Sequence, residues 1–288
     1  MKAPAFRYIR AESCAHACAL LAEHGGDARL LAGGQSLMPM LNMRLASPAI
    51  LIDLNPVKEL AGVVRDGEVL RIGAMTRHRD VAESALVRQR LGLIAEAMEH
   101  VAHAAVRNRG TFGGSIALAD PAAEMPACCL ALDGRMVIES RQGRRTIEAD
   151  AFFRGIMETA LEPDDVLVGV EFPPRDAAWH HSFVEIGRRR GDYAIVGAAV
   201  TARVENREIV DSRLVFFGVG DRPLRTQHAE QALAAAAGLE AGIAAIEAVL
   251  DQDLVPSSDH QATAEMRAHL AKVVARRALI RFQTLVMP

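Results

Sequence analysis

The chain has 288 residues, 50% hydrophobic and 24% charged, with a net charge of −3. That is enough apolar material for one large domain or two to three small ones. With no long basic block, the composition argues against nucleic-acid binding. No apolar run approaches the roughly 18 residues of a membrane helix, so no transmembrane segment is expected.

The opening "MKAPAFRYIRAES" lacks an apolar signal core, and a cytoplasmic location is expected. "SCAHACALLAEHGG" reads as a helix stopped at Gly25 and Gly26, followed by a strand from Ala28 to Ala32. A glycine turn leads into a short helix, "SLMPMLNMRLA", with Ser36 as its expected cap and Pro39 in its first turn. "AILIDL" (Ala49 to Leu54) is a buried strand, so the first 55 or so residues make a small α/β unit. Next come a strand "EVLRIGAMT", a helix beginning at "HRDVAES" and a longer helix "LGLIAEAMEHVAHAAV". A second glycine turn, Gly113-Gly114, stands within "RNRGTFGGSIALADPAAEMPACCLALDG". "RMVIES", "RRTIEAD" and "VLVGVEFP" are further strands, and Pro173-Pro174 marks a boundary near residue 175. In the last third, "HHSFVEIGRRR", "DYAIVGAAVTARVEN" and "EIVDSRLVFFGVG" are strands, the latter two joined by a tight turn near Asn206. Three helices follow; in the last, Met266, Leu270, Val273, Val274 and Leu285 recur at helical spacing. Strands followed by helices make an α+β domain.

Four cysteines are present, Cys14, Cys18, Cys128 and Cys129. Cys14 and Cys18, with His16 and His24 nearby, raise a metal site, but small buried residues on one helix face explain the spacing better. Their close pairing argues against a disulfide framework. His100 and His103 lie three apart on the expected longer helix and would share a face, and two histidines alone make no metal site. No serine or cysteine comes with a His/Asp constellation, and no carboxylate pair stands out for acid–base work. That absence suits a protein whose chemistry resides in a cofactor.

The two glycine turns carry the function. Glycine lets a ligand approach the backbone, and successive free N–H groups make an anion-binding concavity. Side chains of Gln35, Ser36, Thr111 and Ser115 can add donors. One loop would serve a phosphate, and two loops suit a pyrophosphate between two parts of the chain. No G-x-G-x-x-G is present, which argues against a Rossmann domain.

"LAGGQSLMPMLNMRLASPAILIDL" and "RNRGTFGGSIALADPAAEMPA", in that order, resemble the FAD-binding medium subunit of molybdenum hydroxylases, the carbon monoxide dehydrogenase and xanthine dehydrogenase family. "GRRRGDYAIVGAAV" and "GVGDRPLRTQHAEQAL" extend the resemblance over nearly the whole chain. The resemblance implies an α+β chain: a two-part FAD-binding domain of the PCMH type over residues 1–175, with subdomains of about 1–55 and 56–175, then a C-terminal α+β domain over 176–288. It implies FAD diphosphate at Ala32, Gly33, Gly34, Gln35 and Ser36, and at Thr111, Gly113, Gly114 and Ser115. It places Glu124, in the segment that also holds Asp120, on a ribose hydroxyl, and Tyr193 near the isoalloxazine ring. Without the resemblance Tyr193 reads as a half-buried aromatic at a strand start. Arg188 to Arg190 read as a solvated charge run, with one arginine able to face the ring edge. Two departures stand out: the second loop commonly ends in Gly-Gly-Asn but has Ser115 here, and Phe112 replaces a more usual aliphatic.

The implied protein is the flavin subunit of a heteromeric oxidoreductase. A large partner subunit would hold the molybdenum cofactor, and a small one two 2Fe-2S clusters, in a dimer of heterotrimers. Electrons from the clusters would pass through FAD to an acceptor. The rivals are a stand-alone NAD(P)H-dependent flavin reductase and a non-catalytic FAD-binding assembly module.

Overall fold

The computed structural model describes residues 2–286. The first part is a three-stranded parallel sheet in which Ile50–Asp53 lies between Arg7–Arg10 and Ala28–Leu31. Parallel strands need crossovers: the helix Cys14–His24 links the two outer strands, and the helix Leu37–Asn42 lies in the crossover from Ala28–Leu31 to its neighbour Ile50–Asp53. Ser13 starts the first of these helices, its hydroxyl accepting from the His16 N–H at 3.1 Å, and Gly25, at φ +53°, ends it. All four residues of Ile50–Asp53 are buried, as a strand covered on both sides requires. The strand Arg7–Arg10 was not anticipated: its side chains are mostly exposed, so it carries no apolar signal.

The second part is a five-stranded antiparallel sheet in the order Val63–Asp66, Val69–Gly73, Val166–Phe172, Arg135–Ser140, Gly143–Glu148. The helix Phe112–Leu118 packs on it, and the helix Glu124–Ala131, buried along its whole length, shares its core. The expected longer helix over 91–106 is broken. Helices Gly92–Ala97 and Ala104–Arg107 are separated by a turn in which Ala102 takes φ +43°. The Arg107 guanidinium holds that turn by donating to the Val101 and Ala102 carbonyls at 2.8 and 2.7 Å. His100 and His103 therefore share no helix face: His100 lies in the turn, and His103 precedes the second helix.

The last part is a four-stranded antiparallel sheet, Trp179–Gly187, Ala194–Glu205, Glu208–Phe217, Leu224–Arg225. The hairpin after Glu205 turns on Asn206 and Arg207, both at positive φ (49° and 69°), the geometry that matches strand twist. Strand alternation sends Val196, Ala198, Val200 and Ala202 toward the C-terminal helices. Ala199, on the other face, joins the core shared with the helix Glu124–Ala131, and Thr201 on that face donates its hydroxyl to the Ala131 carbonyl at 2.9 Å. This sheet is the wall between the flavin-type part and the C-terminal helices.

The final helix Ala264–Ile280 buries Ala271, Val274, Ala275, Ala278 and Leu279. Met266, at helical spacing from these positions, is 50% exposed, whereas Val274, from the same pattern, is fully buried. A separate short helix, Gln283–Val286, follows where one continuous helix was expected.

Candidate functional site

The two glycine loops meet. A Cβ added to Gly33 would stand 2.4 Å from the Arg109 carbonyl oxygen and 2.8 Å from the Gly110 Cα, so only glycine lets the first loop lie on the approach to the second. A Cβ at Gly114 would be 3.8 Å from the Ala32 Cβ. The loops are tied by a polar chain. Asn55 donates to the Ala32 carbonyl at 3.0 Å, and Arg77 donates to the Asn55 side-chain oxygen at 2.5 Å and also to the Arg109 carbonyl. Asp53 anchors Asn55 from behind, accepting its backbone N–H at 2.9 Å, and is itself held by the Tyr8 hydroxyl.

The loops differ in what their backbones offer. At the first, Gly34 turns at φ +72°, and the N–H groups of Gly33, Gly34, Gln35 and Ser36 meet no acceptor among the described residues. At the second, the N–H groups are spent. Phe112 donates to the Thr76 carbonyl at 2.9 Å, Gly113 to the Ala74 carbonyl at 2.8 Å, and Ser115 to the Thr111 carbonyl at 3.2 Å. Gly114 donates to the Thr111 hydroxyl at 3.2 Å, which caps the helix Phe112–Leu118. Successive free N–H groups, expected of both loops, thus occur at the first alone. Thr111 is 2% exposed, and Gly113 lies against Ala74, where a Cβ would come within 2.3 Å of the alanine Cβ. Thr111 and Gly113 hold the loop's shape from beneath, while Gly114 and Ser115 are partly open.

A cavity of about 410 Å³ opens over the first loop, lined by Ala32, Gly33, Gly34, Gln35, Asn55 and Arg109 among others. Ser36 stands at the N-cap of the helix Leu37–Asn42, but its hydroxyl makes no cap; it faces the Tyr193 phenol instead. Tyr193 is 49% exposed. Its pKa is raised by burial and by the nearby Asp120 and Glu124 carboxyls. Asp120 shapes the turn before the next helix by accepting the Ala122 N–H at 2.9 Å. Ser36, Asp120, Glu124 and Tyr193, from three distant stretches, thus come together. Arg188, Arg189 and Arg190 are exposed beside them, with Arg190 4.0 Å from Glu99.

Residues not singled out from sequence also join the site: Asn55, Arg77, Arg109 and Glu185, the last 3.4 Å from His100, which the sequence offers only as half of a histidine pair. Asn55 alone carried a signal, since Asn before Pro at a strand end marks a side-chain-stabilised turn.

Glu124 is 5% exposed. Burial pushes its carboxyl up to about 7, with Glu185 and Asp120 adding to the rise while the helix N–H and His100 oppose it. An unfolded chain loses this proton near 4.5. Between those values the folded chain holds more protons than the unfolded one, so this group's contribution to stability falls as pH rises from 4.5 to 7. Glu124→Gln is therefore expected to stabilise the purified chain at pH 8 by up to roughly 3 kcal/mol and to change little at pH 4. Thermal melts at both pH values decide this; equal midpoints for variant and wild type at pH 8 would refute it.

The arrangement fits a long, anionic, partly aromatic guest. Four successive unpaired N–H donors suit a phosphate, a cavity opens over Gly33, Gly34 and Gln35, and a half-exposed tyrosine, bonded to Ser36, stands with a buried acidic group nearby. The comparisons agree with that chemistry. Residues 4–175 match the FAD binding domain in molybdopterin dehydrogenase, and residues 181–282 match the CO dehydrogenase flavoprotein C-terminal domain. The chain belongs to this family of flavin-binding subunits of molybdenum-containing dehydrogenases. It is 39% identical to caffeine dehydrogenase subunit beta of Pseudomonas sp. (strain CBB1), over 98% of this chain and 96% of that one. Among solved structures, carbon monoxide dehydrogenase from Hydrogenophaga pseudoflava superposes with a TM-score of 0.95 at 38% identity, covering 97% of this chain and 98% of that one. Quinoline 2-oxidoreductase from Pseudomonas putida 86 gives a TM-score of 0.93 at 36% identity over both full chains.

Proposed function

We propose that this chain is the FAD-carrying subunit of a heteromeric molybdenum hydroxylase, taking electrons from iron–sulfur clusters on a small partner and passing them to an acceptor. The observation that carries the reading is the pair of touching glycine loops, one of which leaves four successive N–H groups unpaired beside a cavity, with Tyr193 next to its Ser36. Bound FAD would supply the redox chemistry, and the chain's own residues bind and orient it. The N–H groups of Gly33 to Ser36 take the diphosphate. Thr111 and Gly113 support the second loop, whose Gly114 and Ser115 border the same space. Glu124 and Asp120 take sugar hydroxyls, and Tyr193 covers one face of the ring. Nothing in either loop can tether the flavin covalently, since neither holds a histidine or cysteine.

The finer organisation belongs to the same reading. The chain divides near residue 175, with a first subdomain to about residue 55, and sits with a large molybdenum-cofactor subunit and a small 2Fe-2S subunit in a dimer of heterotrimers. Four buried cysteines without a disulfide suit a reducing cytoplasm. Purification of the native complex tests the reading: large and small partners should accompany the chain, and acid precipitation should release all the yellow colour. Flavin retained in the pellet, or a chain purifying alone with flavin bleached by NAD(P)H, would sink it.

Tyr193→Ala is expected to weaken FAD binding only about fivefold, since an aromatic contact contributes ~1 kcal/mol, while changing flavin reoxidation by oxygen. Its half-exposed ring governs access more than affinity. Stopped-flow reoxidation traces identical to wild type would leave Tyr193 as an ordinary residue at a strand start.

A further inference from the structure

The final helix reaches the cleft through one buried cation. Arg267 lies in the first turn of the helix Ala264–Ile280, which Thr263 caps, and is only 6% exposed. Its Nη1 donates to two carbonyls, those of Ile195 and Gly218, the second at 2.6 Å. Its Nη2 donates to the Asp259 carboxylate at 2.7 Å. Ile195 stands at the start of the strand Ala194–Glu205, and Gly218 follows the end of the strand Glu208–Phe217. These strand ends lie against each other, since a Cβ on Gly218 would stand 2.5 Å from the Ile195 carbonyl oxygen.

Both ends border the cleft. Tyr193 stands two residues before Ile195, at the head of that strand. Gly218 donates its N–H to the Pro121 carbonyl at 2.8 Å, and Pro121 follows Asp120 in the turn that leads to Glu124. Arg267 is thus one hydrogen bond from the strand that Tyr193 heads and two from the turn that carries Asp120. Stability alone is a poor reason for this arrangement. A buried guanidinium loses its hydration, its Nε has no partner among the described residues, and a cation in a first turn opposes the helix dipole.

We propose that Arg267 is a positioning residue for the flavin cleft, holding the two strand ends together and so fixing Tyr193 in its place there. The inference rests on the FAD-subunit reading and gives the C-terminal helices a part in it. Asp259 holds the guanidinium from the segment before the helix. Burial disfavours the charge on Asp259, but Arg267 and the N–H groups of Ala262 and Gln261 outweigh it and hold the carboxyl at about 2, so it is ionised at neutral pH. A lysine at 267 would keep the charge but lose the planar fork that reaches both strand ends and Asp259 at once.

Two measurements test this. The first needs no flavin: the chain is nitrated with tetranitromethane, and Tyr193 is compared with Tyr8, the other tyrosine, which is similarly exposed at 51%. Arg267→Lys should raise nitration of Tyr193 relative to Tyr8. The second is a double-mutant cycle on the assembled complex, its flavin reduced with dithionite and mixed with oxygen in a stopped flow. Arg267→Lys should keep wild-type FAD content and circular dichroism. It should change the reoxidation rate about threefold or more, in the direction of Tyr193→Ala, as expected of groups in one network. Added to Tyr193→Ala, it should change the rate no further. Asp259→Asn should act the same way but less. Lys272→Met removes an ion pair between the same helix and Asp251, holds neither strand end, and should match wild type.

An unchanged nitration ratio, or a wild-type reoxidation rate in a flavin-loaded Arg267→Lys complex, overturns the proposal. So does an effect that persists in the Tyr193→Ala background, or an equal effect from Lys272→Met, which would mark a general loosening of the helix. If Arg267→Lys fails to fold or to hold flavin, the same measurements on Asp259→Asn decide, and values unmoved there overturn it too. A Tyr193→Ala complex that reoxidises as wild type does would overturn the reading of Tyr193 and the inference with it. A Tyr193→Ala effect without one from Arg267→Lys strikes the inference alone.

Discussion

Gly33→Ala is expected to lower FAD affinity by roughly a hundredfold, equivalent to ~3 kcal/mol, at the upper end of what overpacking costs. The added Cβ would meet the Arg109 carbonyl oxygen at 2.4 Å, the Gly110 Cα at 2.8 Å and the Arg109 carbonyl carbon at 3.0 Å. All three are backbone atoms and cannot swing aside as a flexible side-chain tip would. The same Arg109 carbonyl is held by the Arg77 guanidinium, so the second loop resists moving as well. The first loop must therefore lift, and the unpaired N–H groups of Gly33 to Ser36 are displaced from the ligand. The chain should still fold, because the loop lies at the surface and the buried strand Ile50–Asp53 is untouched. Two substitutions calibrate the effect. Gly26→Ala meets nothing within 4 Å and should be neutral. At Gly34, φ is +72° and the nearest atoms are the Leu31 and Met38 side chains at 3.3 Å. Its alanine variant should lose about 1–2 kcal/mol to left-handed strain, a milder effect. Flavin content, FAD titration and circular dichroism, measured together, decide it; a Gly33→Ala chain with full flavin occupancy would remove this loop from the site.

Gly113→Ala, two glycines in one motif notwithstanding, should act on the fold instead. Its Cβ would overlap the Ala74 Cβ at 2.3 Å, Cα at 2.5 Å and carbonyl oxygen at 2.8 Å, just past the end of the strand Val69–Gly73. The helix Phe112–Leu118 must then separate from that strand end and give up the 2.8 Å hydrogen bond from the Gly113 N–H to Ala74. Alanine regains about 1 kcal/mol of helix propensity. A backbone overlap in a packed core costs about 3 kcal/mol, so the net is destabilising by roughly 2 kcal/mol or more. For a chain of this length that lowers the thermal midpoint by about 4–8 °C. Differential scanning calorimetry measures it, and an unchanged midpoint would mean the helix and strand are free to part. Gly33 and Gly113 thus carry different duties: one keeps two loops in contact at the ligand, the other keeps a helix against a sheet.

Much of this was readable along the chain, and the reason is range. The helix at Cys14, its stop at Gly25, the strand after it and the hairpin turn at Asn206 all depend on residues within a few positions of one another. Periodicity, turn chemistry and caps record such interactions directly. The two Gly-Gly turns stood out for the same reason. Apolar periodicity misled in the last helix at one position: Met266 looked like core and is half exposed, while Val274 of the same pattern is fully buried, as are Ala271 and Ala275.

What the glycines do could be decided only in three dimensions. Identical dipeptides differ because Arg109 lies over one and Ala74 under the other, and the N–H groups of the second loop are consumed by Ala74, Thr76 and Thr111. The break at Ala102 had no local marker, since alanine takes φ +43° there only under the hold of Arg107. The link from Asn55 through Arg77 to Arg109 joins residues 22 and 32 positions apart. His100 meets Glu185 across 85 positions, counted from the numbers of the paired residues. A histidine in a helical pattern and a glutamate in a strand carry no mark of each other; the packing of the C-terminal sheet against the flavin-type part brings them face to face, and the hydrogen bond to Glu185 raises the His100 pKa.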